Sequence, residues 1–179
     1  MTKKKILTFG ASNSKHSINR KLAFYAANRL EDVEIDLLDL NDFEMPIYSI
    51  DREKENGFPD LAYQFKKHIY ECDAIIISFA EHNGAYTAAF KNIFDWISRI
   101  EKNVWDNKPM FLLSTSDGAR GASTVLELAT AKFKRMTSSS VFSYSLPSFS
   151  ANFDEQKGIV NSELAQKLDD MLAEFSDLL

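Results

Sequence analysis

Five short apolar runs punctuate the chain, at 5–10 (KILTFG), 33–40 (VEIDLLDL), 74–79 (AIIISF), 110–114 (MFLLS) and 141–146 (VFSYSL). Most of the stretches between them carry apolar residues every three or four positions. Leu22, Ala23, Ala26, Ala27 and Leu30 form one such series, and Leu61, Phe65 and Ile69 a second. Ala89, Phe90, Ile93, Phe94 and Ile97 form a third, 124–136 is read as a fourth helix, and Leu164, Leu168, Met171, Leu172 and Phe175 close the chain. Short apolar runs bounded by turns read as strands, and the period of 3.6 reads as helix. Strands that alternate with helices cannot pair as hairpins. They predict an α/β fold with a mostly parallel sheet and helices on both faces. The run at 74–79 has no polar face and predicts a central strand covered on both sides. Residues 41–58 read as irregular, Pro59 as a helix start, and Ser162 as a cap for the last helix.

The chain has 179 residues, a length that a single core serves (roughly 100 to 200). One domain over 1–179 is expected. A lone Cys72 excludes an internal disulfide and any zinc site built on cysteine spacing. Lys3, Lys4 and Lys5 imitate a signal-peptide start, but the apolar run after them is too short. No stretch approaches the roughly 18 apolar residues of a membrane span. A reducing, cytoplasmic setting is expected, with no membrane partner. No interleaved basic and aromatic run points to nucleic acid.

In an open parallel sheet, ligands bind beyond the carboxyl ends of the strands. The loop after the first strand, 10–19 (GASNSKHSIN), runs into a helix, and residues 1–20 contain no acid. Ser12, Ser14, Ser17 and Asn19 are donors suited to a phosphate, and Lys15 adds a cation. The competing reading is that Ser17 only caps the helix. Three spaced glycines or a Gly-Lys-Ser/Thr ending, as other phosphate loops need, are missing. After the third strand, Asn83-Gly84 marks a tight turn that exposes backbone polar groups to a planar ring, with His82 or Tyr86 nearby. After the fourth, Gly118 and Gly121 permit close approach of a ligand, and Arg120 either faces an anion or makes a solvated ion pair. Of only six glycines, four (Gly10, Gly84, Gly118 and Gly121) fall in these loops.

Together the loops resemble the NAD(P)H-dependent FMN reductase family, which includes azobenzene, quinone and chromate reductases. Ser12, Ser17 and Asn19 match its G-S-x-R-x-x-S-x-N motif, and Glu81, Asn83 and Gly84 match P-E-Y-N-G. Lys91, Asn92, Asp95, Trp96, Ser98 and Arg99 match K-N-x-x-D-W-x-S-R, and 116–121 stands where the family has its glycine-containing loop. The resemblance implies a flavodoxin-like three-layer sandwich with a five-stranded parallel sheet in the order 2-1-3-4-5. It implies that Ser12, Ser14, Lys15, Ser17 and Asn19 hold the FMN phosphate. Glu81, His82, Asn83 and Gly84 would flank the isoalloxazine ring, with Ser116, Asp117, Gly118, Arg120 and Gly121 on its other side. This sequence departs at Ser14 (arginine in the family), Ala80 (proline) and His82 (tyrosine). Loss of a bidentate arginine implies FMN binding that is retained but weaker.

The family's activity is a ping-pong transfer of hydride from NADPH or NADH to FMN and on to a quinone, azo, flavin or metal-ion acceptor. The cofactor carries that chemistry, so no catalytic side chain is assigned. A homodimer or homotetramer is implied, with Trp96 and Arg99 as interface candidates. Two rival readings are a flavodoxin-like electron carrier and a flavin-free binding module.

Overall fold

The computed structural model describes residues 3–179. Five parallel strands form the sheet: β1 (Lys4–Ala11), β2 (Val33–Leu38), β3 (Ala74–Phe79), and then, after a short hairpin of β4 (Glu81–His82) and β5 (Ala85–Tyr86), β6 (Met110–Thr115) and β7 (Val141–Leu146). Their spatial order is β2-β1-β3-β6-β7, the 2-1-3-4-5 arrangement that the resemblance implies. The chain turns outward in both directions from β1 and β3, which are paired from Ile6↔Ala74 to Ala11↔Phe79. The carboxyl ends of that pair mark the switch point where a ligand crevice forms.

Side chains alternate across the strands, so the sheet serves two cores. Leu7, Phe9, Ile75, Ile77, Phe79 and Leu112 face one side, beneath α3 (Asp60–Glu71), α4 (Ala88–Ile100) and α5 (Ser123–Phe133). Ile6, Ile76, Phe111 and Leu113 face the other, beneath α1 (Ile18–Ala27) and α7 (Ser162–Ser176). Every residue of β3 is buried, as its unbroken apolar run requires.

The region 41–58 departs from expectation. It contains a 3₁₀ turn (Leu40–Phe43) and a helix, α2 (Ile50–Asn56), capped by Ser49, whose hydroxyl accepts the Arg52 N–H. The α4 motif holds this connection down. Asn92 accepts the Tyr48 N–H at 2.8 Å and donates to the Met45 carbonyl at 3.0 Å. The Trp96 indole donates to the Pro46 carbonyl at 2.8 Å, and Arg99 pairs with Glu53. Trp96 is 1% exposed and Trp105 is also buried. The interface role expected of Trp96 is therefore corrected, because its side chain is spent inside its own chain, whereas Arg99 stays exposed beside its Glu53 partner. A second unexpected feature follows β7, where α6 (Phe149–Asn152) leads into a small hairpin of β8 (Phe153–Asp154) and β9 (Gly158–Ile159).

Candidate functional site: a cleft between three loops

The loop after β1 closes on itself through its own serines. Ser12 Oγ accepts the Ser14 N–H at 3.1 Å, Ser14 Oγ the His16 N–H at 3.3 Å, and Ser17 Oγ the Arg20 N–H at 3.1 Å. In each case the hydroxyl is the acceptor, so its own hydrogen remains free to donate. Ser17 does cap α1, but the cap does not use up its donor. The first-turn amides of Ile18 and Asn19 have no acceptor among the described residues. Three hydroxyl hydrogens and two amides at a helix start are a donor set for a phosphate monoester.

Asn19 has a different place. It is 2% exposed, its amide donates to the Thr115 carbonyl at 3.1 Å, and its carbonyl oxygen accepts from Ser78 Oγ at 2.7 Å and the Thr115 N–H at 3.0 Å. The side chain bolts α1 to the ends of β3 and β6. One hydrogen of its amide is thereby committed to a strand carbonyl, and its backbone N–H lies in the first turn of α1.

After β3 the chain forms a two-residue hairpin, Glu81↔Tyr86 and His82↔Ala85. Asn83 and Gly84 both have positive φ, 53° and 73°, the combination that a type I′ turn demands. Glu81 reaches sideways and accepts the Val125 N–H at 2.9 Å. Thr87 ends the hairpin, caps α4 by accepting the Phe90 N–H at 3.2 Å, and donates to the Ala11 carbonyl at 2.9 Å. The Tyr86 ring packs against Phe79 and Phe90, and burial pushes its phenol up to about 12.

On the opposite wall, Asp117 accepts from the Ser150 hydroxyl at 2.6 Å and from its N–H at 3.1 Å. Those two donors hold the Asp117 carboxyl below its ordinary value. Gly121 turns inward: a Cβ there would lie 2.4 Å from Ser145 Oγ, and its carbonyl accepts from Ser114 Oγ at 2.7 Å. The close approach that Gly121 permits is to β7.

Between these walls lies a cleft of about 230 Å³. Of the expected residues, Ser12, Ser14, Ser17, Asn19, Glu81, His82, Ser116 and Asp117 line it. Asn83, Gly84, Gly118, Arg120 and Gly121 are not among its lining, and Lys15 faces an adjoining pocket. His16, Ala80 and Thr115 were not foreseen as lining. Thr87 was also missed, although a threonine just before an apolar helical series is a capping signal. The donor set at one end and the two polar walls fit a phosphorylated cofactor with a planar ring, which is what FMN is.

The relatives agree with that fit. A family model described as NADPH-dependent FMN reductase matches residues 4–151. A 2-hydroxy-1,4-benzoquinone reductase from Burkholderia sp is 34% identical over 119 residues, 65% of this chain and 63% of that protein. An NADPH:quinone oxidoreductase from Arabidopsis thaliana is 33% identical over 89 residues, 50% of this chain and 44% of that protein. The matched segments thus span about half to under two thirds of these relatives. Among solved structures, a flavoenzyme NAD(P)H:(acceptor) oxidoreductase from Paracoccus denitrificans superposes with a TM-score of 0.76 at 24% identity, covering 98% of this chain and 96% of that one. That likeness establishes the flavodoxin-like fold. With the match over 4–151, the chain belongs to the NADPH-dependent FMN reductase family.

Proposed function

We propose that the protein binds FMN in the three-loop cleft and uses it for NAD(P)H-dependent reduction of a small acceptor of the quinone, azo, flavin or metal-ion class. The observation that carries this reading is the trio of Ser12, Ser14 and Ser17, whose hydroxyls accept backbone N–H groups and so keep their own hydrogens for an anion. The quinone reductases among the relatives support the acceptor class.

Bound FMN supplies a ring that takes up hydride and passes two electrons to an acceptor. The residues of this chain bind and orient. The serine hydroxyls and the Ile18 and Asn19 amides hold the phosphate. Asn19, Glu81, Thr87 and Asp117 fix the walls in advance, so that little reorganisation accompanies binding. Self-association belongs to the same reading: Ile47 is 76% exposed and, beside Asn13 of the phosphate loop, lines a groove of about 200 Å³.

The test is titration of apoprotein into FMN, followed by anaerobic addition of NADPH or NADH and then of 1,4-benzoquinone. Quenching of flavin fluorescence, bleaching of bound flavin and its reoxidation by the quinone are expected. An absence of quenching at saturating protein overturns FMN binding. Binding without bleaching replaces the reductase with an electron carrier.

A further inference from the structure

Three depressions open in series along α1. The three-loop cleft shares His16 and Ser17 with a pocket of about 140 Å³ that is also lined by Lys15, Arg20 and Lys21. This second pocket shares Lys21 and Phe24 with a groove of about 410 Å³ between α1 and the β8–β9 hairpin. The two outer pockets differ in chemistry. The first has three cationic side chains and no carboxylate among its lining residues. The second has aromatic walls, with Phe24 44% exposed and the Tyr25 and Phe153 rings edge-to-face at 5.4 Å.

The aromatic groove is built rather than incidental. The β8–β9 hairpin lies so close over Tyr25 that a Cβ at Gly158 would sit 2.1 Å from the ring, and Gly158 adopts φ +75°. Phe153 in turn stacks on Phe149 of α6 at 4.7 Å. Asn28 and Gln156 add amides to the groove. Arg20 donates to the Leu38 carbonyl through Nε at 3.4 Å, which leaves its terminal amino groups for another acceptor. Lys21 pairs with Glu155, and both side chains are exposed. A pair of that kind contributes little to stability.

A cationic pocket continuous with an aromatic slot suits an anionic tail joined to a planar heteroaromatic ring. The ten residues of α1 extend over about 15 Å, on the scale of an extended dinucleotide. We infer that the adenylyl half of the nicotinamide co-substrate lies along the outer face of α1, with its phosphates on Lys15, Arg20 and Lys21 and its adenine on the exposed ring of Phe24, beside the Tyr25–Phe153 pair. This rests on the proposed NAD(P)H-dependent activity. The site lies on the α1 and α7 side of the sheet, whereas Ile47 borders α4 on the other side, so self-association through Ile47 leaves it open.

The experiment compares hydride donors on the FMN-loaded protein. Bound flavin is reduced anaerobically with NADPH, NADH and reduced nicotinamide mononucleotide, which lacks the adenylyl half, in the wild type and in Lys21→Ala and Phe24→Ala. The variants are expected to raise the dissociation constant of NADPH or NADH about tenfold and to leave reduction by the mononucleotide unchanged. Equal effects on both kinds of donor, or none on either, overturn the assignment. In parallel, 2′,5′-ADP and 5′-ADP are titrated calorimetrically into the same proteins. Binding of either to the wild type, weakened in both variants, supports the site, and no binding at millimolar concentration overturns it. If no donor reduces the flavin, the proposed activity fails, and the calorimetry still decides whether α1 holds an adenine nucleotide.

Discussion

Glu81 caps a helix to which it does not belong. Its carboxylate accepts the Val125 N–H at 2.9 Å, although α5 starts from Ala122, a residue in the left-handed region with no side chain able to cap. The hairpin after β3 therefore supplies what the loop after β6 lacks, and the two walls of the cleft are held to each other. Replacing Glu81 with alanine is expected to cost about 1 kcal/mol of stability, as for other lost caps. Glu81→Gln should cost less, because an acceptor remains while the charge beside the helix dipole is lost. Urea unfolding of the three proteins checks this; equal midpoints for wild type and Glu81→Ala would refute it.

Asn19 is the joint between α1, β3 and β6. Asn19→Ala leaves the Thr115 N–H and carbonyl and the Ser78 hydroxyl without their partner in a buried place, at a cost of about 1–3 kcal/mol. Asn19→Asp keeps the acceptor but sets a carboxylate against the Thr115 carbonyl, and a loss of similar size is expected. Thermal unfolding measures both, and a neutral result for either contradicts the geometry.

Cys72 is 3% exposed, and burial pushes its thiol up to about 11. Reactivity follows the thiolate. The native protein at pH 8 should therefore react with iodoacetamide only as fast as it opens, and fully once unfolded in urea. Mass spectrometry over a labelling time course reads the difference; rapid labelling of native protein would contradict the burial.

Asp117 gives a pH dependence with a defined sign. Its folded carboxyl lies below the ordinary value of 3.8 because Ser150 donates to it twice. A depressed acid stabilises the fold above its unfolded pKa, and that contribution disappears as pH falls through the folded value. The stability gap between wild type and Asp117→Ala should thus stay constant above about pH 5 and shrink below about pH 4. Denaturant unfolding across that range tests it, and a gap that widens on acidification would reverse the argument.

Legibility in the sequence followed burial. The run at 74–79 became β3 without a shift, because a strand covered on both faces must be apolar throughout. Helix α2 gave no such signal: none of its residues is buried, so it has no apolar period, and its hold on the fold passes through Glu53 to Arg99 and Tyr48. The β8–β9 hairpin was equally silent, since its strands have two residues each and depend on Tyr25, far away in the chain. In the site, the serines and the Asn83-Gly84 turn were visible as local chemistry. The Glu81 cap and the Asn19 joint were not, because their partners lie 44 and 96 positions distant.

The first loop offers a phosphate neutral hydroxyls and amides, while the pocket beside it offers Lys15, Arg20 and Lys21. Dipoles in a partly enclosed cleft are little affected by dissolved ions, whereas exposed ammonium and guanidinium groups are screened within about 10 Å at 0.1 M salt. Ionic strength should therefore sort the two ligands of this protein, loosening a dinucleotide while leaving a flavin phosphate in place.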